Sequence, residues 1–186
     1  MATSPHSADG DDVDPASRHL VLVGMMATGK TTIGRAVAKR TGRPFIDSDI
    51  QIETTTRKTV REIFEQDGEA AFRRLEADAL ASALATTTPA VIAAAGGVVL
   101  SPHNRALLKK AGRVVWLRAD PRTLASRVRP NDHRPLLADD PLGVLRRLAD
   151  DRQDLYAEVA DTVIDVDRRD KRDLVREVEA LVPGAR

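Results

Sequence analysis

The 186-residue chain contains no cysteine. That excludes disulfides, thiolate-held metals, iron–sulfur clusters and cysteine nucleophiles, and it suits a reducing compartment. Aromatic residues make up only 3%, too few to lay a base-stacking surface for single-stranded nucleic acid. No charge of one sign dominates. The 29 basic and 28 acidic side chains leave a formal net charge of +1, which provides neither a nucleic-acid coat nor a polybasic membrane anchor. No apolar run approaches the roughly 18 residues that mark a membrane span. What is present is ordinary: 42% hydrophobic and 31% charged residues, enough to build the core of one soluble domain.

Residues 1–18 read as a disordered tail. They hold Ser4, Pro5, Gly10, Pro15 and a run of aspartates, with Val13 as the only branched aliphatic residue, so ordering them would bury too little apolar surface to offset the entropy lost. The tail lacks the basic start and apolar centre of a secretory signal. From residue 19 onward strand and helix patterns alternate. Strands are expected at His19–Gly24, Pro44–Asp49, Ala90–Ala95, Arg113–Arg118 and Thr162–Val166. Helices are expected at Lys30–Arg40, Thr59–Gln66, Glu69–Leu84, Pro141–Val159 and Asp170–Val182, with further helix starts at Ser101-Pro102 and Asp120-Pro121. Alternation of this kind predicts an α/β fold with a parallel sheet covered on both faces, and a site beyond the carboxyl ends of its strands.

The segment Gly24-Met25-Met26-Ala27-Thr28-Gly29-Lys30-Thr31 matches G-x-x-x-x-G-K-[ST] between an expected strand and an expected helix, the context that the phosphate-binding motif requires. Its glycines let the backbone bend around an anion. The amides from Ala27 through Thr28, Gly29, Lys30, Thr31 and Thr32 then face the phosphates of a nucleotide at the helix N-terminus. Lys30 supplies a point charge, and the Thr31 hydroxyl supplies a Mg²⁺ ligand. Ala27 stands where many such loops carry another glycine. Asp47 and Asp49 end the second expected strand two residues apart. On a strand that spacing turns both carboxylates to one side, one for the water shell of Mg²⁺ and the other for a substrate hydroxyl.

At this point the chain resembles the shikimate kinase family. The resemblance rests on GMMATGKTTIGR at Gly24–Arg35, FIDSDIQIE at Phe45–Glu53, EIFEQDGEAAFRRLE at Glu62–Glu76, AGGVVLSP at Ala95–Pro102, HRPLL at His133–Leu137 and R-x-x-L-Y at Arg152–Tyr156. It implies a P-loop NTPase, nucleoside monophosphate kinase-like fold: a three-layer sandwich on a five-stranded parallel sheet. A substrate-binding region would lie at about 50–80 and a lid at about 128–139, within a domain spanning 19–186. It further implies transfer of a phosphoryl group from ATP to the 3-hydroxyl of shikimate, with Mg²⁺ held by Thr31 and Asp47. Asp49 would bind the substrate hydroxyls and orient or deprotonate the attacking one. Arg73 and Arg152 would take the substrate carboxylate, and Gly96 and Gly97 would let the backbone come close. Arg134 would swing in on the lid, and Arg127 and Arg169 would border the adenine.

An exposed ion pair on a helix is the ordinary alternative for Arg73, which has Glu69 four residues before it and Glu76 three after, and for Arg152 on its long helix. A surface loop is the alternative for Arg134, and a core role is expected for Phe72 and Trp116. Two departures from the family pattern stand out. Ala95 replaces a usual glycine, which would cost about 1 kcal/mol if that position needs a positive φ, and Lys171 replaces a common proline. They leave open a kinase for another cyclic polyol or sugar acid. A non-catalytic nucleotide-binding regulator is the reading from another class. The expectation for partners is small molecules only, without nucleic acid or membrane, in a cytoplasmic monomer.

Overall fold

The computed structural model describes residues 18–128 and 140–184. The tail expected at the N-terminus therefore lies outside the described residues, except for Arg18, and so does the lid segment with Arg134, except for Val128.

Five strands, β1 (His19–Val23), β2 (Phe45–Asp47), β3 (Val91–Ala93), β4 (Gly112–Arg118) and β5 (Thr162–Asp165), form one parallel sheet in the order β2-β3-β1-β4-β5. Among the described residues eight α-helices connect or flank them: α1 (Lys30–Thr41), α2 (Ser48–Thr56), α3 (Val60–Gln66), α4 (Gly68–Leu84), α5 (Pro102–Lys110), α6 (Pro121–Arg127), α7 (Pro141–Val159) and α8 (Lys171–Glu179). The α/β class and the five-stranded parallel sheet are as expected. Every residue of β1 is buried, because a central parallel strand is covered on both faces. Its side chains divide by parity. Leu20 and Leu22 pack with Ile33, Val37, Leu174 and Val178 of α1 and α8. Val21 and Val23 pack on the other face with Trp116, Leu145 and Tyr156. A small third cluster, Ile52, Ile63, Phe72 and Ala79, holds α2, α3 and α4 together as a separate lobe.

The sheet changes its direction of winding at β1, with β3 and β2 on one side and β4 and β5 on the other. The carboxyl end of β1 therefore opens into the crevice where such sheets bind ligands. Gly24 sits there with φ 138°, and a Cβ on it would run into the Leu117 carbonyl of β4, so only glycine lets the loop leave the strand this close to its neighbour.

One expected element is corrected. The second strand ends at Asp47 rather than Asp49, and Ser48–Thr56 is helical. Asp47 is the N-cap of α2, and its carboxylate accepts hydrogen bonds from the amides of Asp49 and Ile50 at 3.1 and 3.3 Å. The strand argument for pairing Asp47 with Asp49 therefore fails. The two belong to a helix cap and a helix first turn, where the capping bonds replace strand pairing. Among the described residues no helix is long and apolar enough to cross a membrane.

Candidate active site

The phosphate-type loop joins β1 to α1. Helix α1 starts at Gly29 with no side-chain cap and no acidic residue in its first turn. Its first amides are thus left for an incoming acceptor, and the positive end of its dipole is undiminished. Thr28 is buried and stiffens the loop by donating to the Met25 carbonyl at 2.8 Å. Lys30 Nζ folds back over the loop and donates to the Gly24 and Met25 carbonyls at 2.7 and 2.9 Å. Ala27 holds φ 60°, a left-handed conformation that the missing glycine would have occupied more easily.

Thr31 Oγ donates to Asp47 Oδ2 at 2.6 Å. Two elements separated by 16 residues thereby place a hydroxyl and a carboxylate side by side at the head of the loop. This is an all-oxygen donor set suited to a hard divalent cation such as Mg²⁺. No group of three or more His, Asp or Glu side chains gathers around a metal position among the described residues. A cation held by this pair would need the rest of its shell from other oxygen ligands.

Two clefts meet at Met26, which lines both. The first runs along the loop and is lined by Ala27, Thr28, Gly29, Thr31, Thr32, Arg127, Arg169 and Lys171. Arg127 donates to the Ala27 and Val166 carbonyls at 3.3 and 3.2 Å, bracing the loop against the end of β5. Arg169 is tied to Glu177 at 2.6 Å. The second cleft lies between the α2–α4 lobe and α7. Asp49, Arg73, Gly96, Gly97 and Arg152 all line it, together with Phe64, Phe72 and Glu76. Phe72 is buried as expected, and its ring also forms part of the cleft wall.

The acid-binding candidates differ in setting. Arg73 does make both helix pairs, with Glu69 at 2.8 Å and Glu76 at 2.5 Å. The ordinary pairing and the cleft position therefore coexist. Arg152 contradicts its exposed-pair alternative. It is 6% exposed, and its Nη1 donates to the Gly96 carbonyl at 3.3 Å. Its Nε is buried without a hydrogen-bond partner. A buried guanidinium edge of this kind is costly unless an anion completes it.

The turn Ala95-Gly96-Gly97 is fastened by three side chains from three elements. Ser48 Oγ accepts from the Ala95 amide at 2.7 Å, Tyr156 donates to the Gly96 carbonyl at 2.6 Å, and Glu76 accepts from the Gly97 amide at 3.2 Å. None of the three was expected as a site-shaping residue. Glu76 is almost fully buried; burial pushes its carboxyl above the ordinary range, and the Arg73 charge pulls against that rise. Ala95 has no positive φ and is packed in the core. The departure from the three-glycine pattern is therefore unstrained.

A family model described as shikimate kinase matches residues 26–182. Shikimate kinase from Symbiobacterium thermophilum is 47% identical over 163 residues, covering 86% of this chain and 93% of that protein. The Burkholderia pseudomallei enzyme of the same name is 46% identical, over 86% and 87% of the two chains. Among solved structures, shikimate kinase from Acinetobacter baumannii in complex with shikimate superposes with a TM-score of 0.84 at 37% identity, over 89% and 92% of the chains. A gluconokinase from Sinorhizobium meliloti, at 21% identity and a TM-score of 0.64, shares the fold. With a phosphate-type loop, a cleft lined by Asp49, Arg73, Glu76 and Arg152 beside it and these relatives over most of its length, the chain belongs to the shikimate kinase family.

Proposed function

We propose that this enzyme transfers the γ-phosphoryl group of ATP to the 3-hydroxyl of shikimate, and that the residues assembled around the two clefts carry the reaction. The observation that bears most weight is the cleft beside the phosphate-type loop. Its lining includes two arginines, one with an unpartnered buried Nε, and the Asp49 carboxylate. A ring carrying a carboxylate at one end and hydroxyls at the other is the shape of ligand this arrangement suits. Arginine grips carboxylates by paired, charge-assisted bonds.

The triphosphate lies along the loop, where the uncapped amides of α1 and Lys30 face it. Lys30 exchanges the Gly24 and Met25 carbonyls for charged phosphate oxygens, which are stronger acceptors. Arg127 and Arg169 border the base. Thr31 and Asp47 would hold Mg²⁺, which would neutralise phosphate charge. Asp49 accepts a hydrogen bond from the 3-hydroxyl and takes its proton as the new oxygen–phosphorus bond forms and the β–γ bridging bond breaks, leaving ADP. Gly96 and Gly97 admit the ring close to the backbone. Arg134 lies outside the described residues and enters this reading through its sequence alone, as a cation beside the transferring group.

Ala95 gives no reason to prefer another cyclic acid, since its backbone is unstrained. The test is ADP release, measured with ATP and Mg²⁺ in the presence and absence of shikimate and against a panel of related polyol acids. Release that depends on shikimate is expected. Release only with another acid, or none with any, overturns the substrate assignment.

A further inference from the structure

Tyr156 is the chain's single tyrosine and is 1% exposed. It sits four residues after Arg152 on α7, so both side chains leave the same helix face. Its ring stacks on Trp116 of β4, with centroids 5.5 Å apart and an interplanar angle of 23°. Its hydroxyl donates to the Gly96 carbonyl at 2.6 Å, and the same carbonyl accepts from Arg152 Nη1 at 3.3 Å. A buried phenol must find an acceptor, and burial holds its proton firmly. It is therefore a constant donor. Its ring is fixed by the sheet through Trp116, so the carbonyl it grips is fixed too.

Resting on the reading that the cleft binds the shikimate carboxylate, we propose that Tyr156 is a positioning residue for that recognition. It acts on Arg152, through the shared Gly96 carbonyl and through the direct contact of phenol and guanidinium, and does not touch the substrate. The carbonyl is a shared anchor. Tyr156 sets its direction, and Arg152 rests one edge of its guanidinium on it. The unpartnered Nε, in a side chain that lines the cleft, is then held ready for a carboxylate. Without the phenol the carbonyl loses its shorter bond, the turn gains freedom, and the guanidinium must be ordered at the moment of binding. That ordering is a cost preorganised sites avoid.

The test is Tyr156→Phe, which keeps the ring and its stack on Trp116 and deletes one oxygen. Steady-state kinetics should show the KM for shikimate raised about five- to tenfold, the size expected for one hydrogen bond, with the KM for ATP and kcat within about twofold. Preference for shikimate over its methyl ester should shrink by a similar factor. In an Arg152→Ala background the same substitution should have almost no further effect on shikimate KM, because its route runs through Arg152. A merely structural tyrosine predicts a lower melting temperature with KM unchanged below it, or equal losses in both backgrounds, and either result overturns the proposal. If wild-type enzyme ignores shikimate and phosphorylates another polyol acid, the substrate reading fails. The same double-mutant cycle on that acid then decides the role of Tyr156 separately.

Discussion

Gly97 leaves room for the Arg73 guanidinium and for little else. A Cβ at residue 97 would overlap Arg73 Nη1 and crowd the Glu76 carboxylate. The φ of Gly97 is −93°, which any residue can adopt, so the demand is for space and not for backbone freedom. Gly97→Ala should therefore displace Arg73 from its place between Glu69 and Glu76. The expected result is a fall in kcat/KM for shikimate of about 10²-fold, as misplacement of a positioning group costs, with the KM for ATP little changed. Near-normal shikimate kinetics in this variant would show that the position of Arg73 does not matter.

Lys30 Nζ spans the loop between two carbonyls, and its side chain is not part of the core clusters. Lys30→Ala should abolish turnover while circular dichroism stays that of the wild type, because the charge serves the transferring phosphate. Turnover close to wild type would remove Lys30 from the mechanism.

Asp49 stands in the first turn of α2 and lines the cleft that holds Arg73 and Arg152. Asp49→Asn preserves shape and removes the charge. Turnover should drop by roughly 10²-fold or more with ATP affinity nearly unchanged, as for loss of a general base. A variant that loses ATP binding instead would exchange the proposed roles of Asp47 and Asp49.

His19 opens β1 in a buried position. Its Nδ1 accepts from the Ala90 amide at 3.1 Å, so Nε2 carries the proton toward the Leu84 carbonyl at 3.3 Å. Burial lowers its pKa below 6.5; Arg43 pushes the same way, and the Leu84 and Thr86 carbonyls oppose. The unfolded chain thus binds a proton near 6.5 that the folded chain accepts only at lower pH. Stability from this site is complete above 6.5 and declines as pH falls below it. Thermal melts should show a decline below pH 6.5 that is shallower in His19→Asn, which keeps an acceptor without a titrating ring. Equal slopes for both proteins would mean that His19 does not titrate in this window.

The β1–loop–α1 unit was legible because a doubly covered strand reads as a continuous apolar run and the Gly-Lys-Thr spacing carries its own mechanism. Helix α2 was not. It buries only Ser48 and Ile52, and Ile50 is exposed, so it has almost no apolar periodicity, and its Thr54-Thr55-Thr56 run favours strand. The missed signal was Asp47 as an N-cap ahead of an acidic first turn. The fasteners of the Ala95–Gly97 turn were hidden for another reason. Glu76, Ser48 and Tyr156 reach it across 21, 47 and 60 residues, and no local pattern encodes a partner that distant. Arg152 looked like a surface residue because helical spacing shows a face but not what covers it.

The central claim is that the cleft recognises a carboxylate through Arg73 and Arg152, and the most direct measurement compares kcat/KM for shikimate and for its methyl ester. Neutralising the acid should cost the wild-type enzyme about 2–4 kcal/mol of transition-state binding, roughly 30- to 1000-fold. Arg73→Ala and Arg152→Ala should each lose most of that discrimination, and Arg73→Lys should recover only part, since an ammonium lacks the planar fork. Equal turnover of acid and ester by the wild-type enzyme, or full activity on shikimate in both arginine variants, would contradict the account.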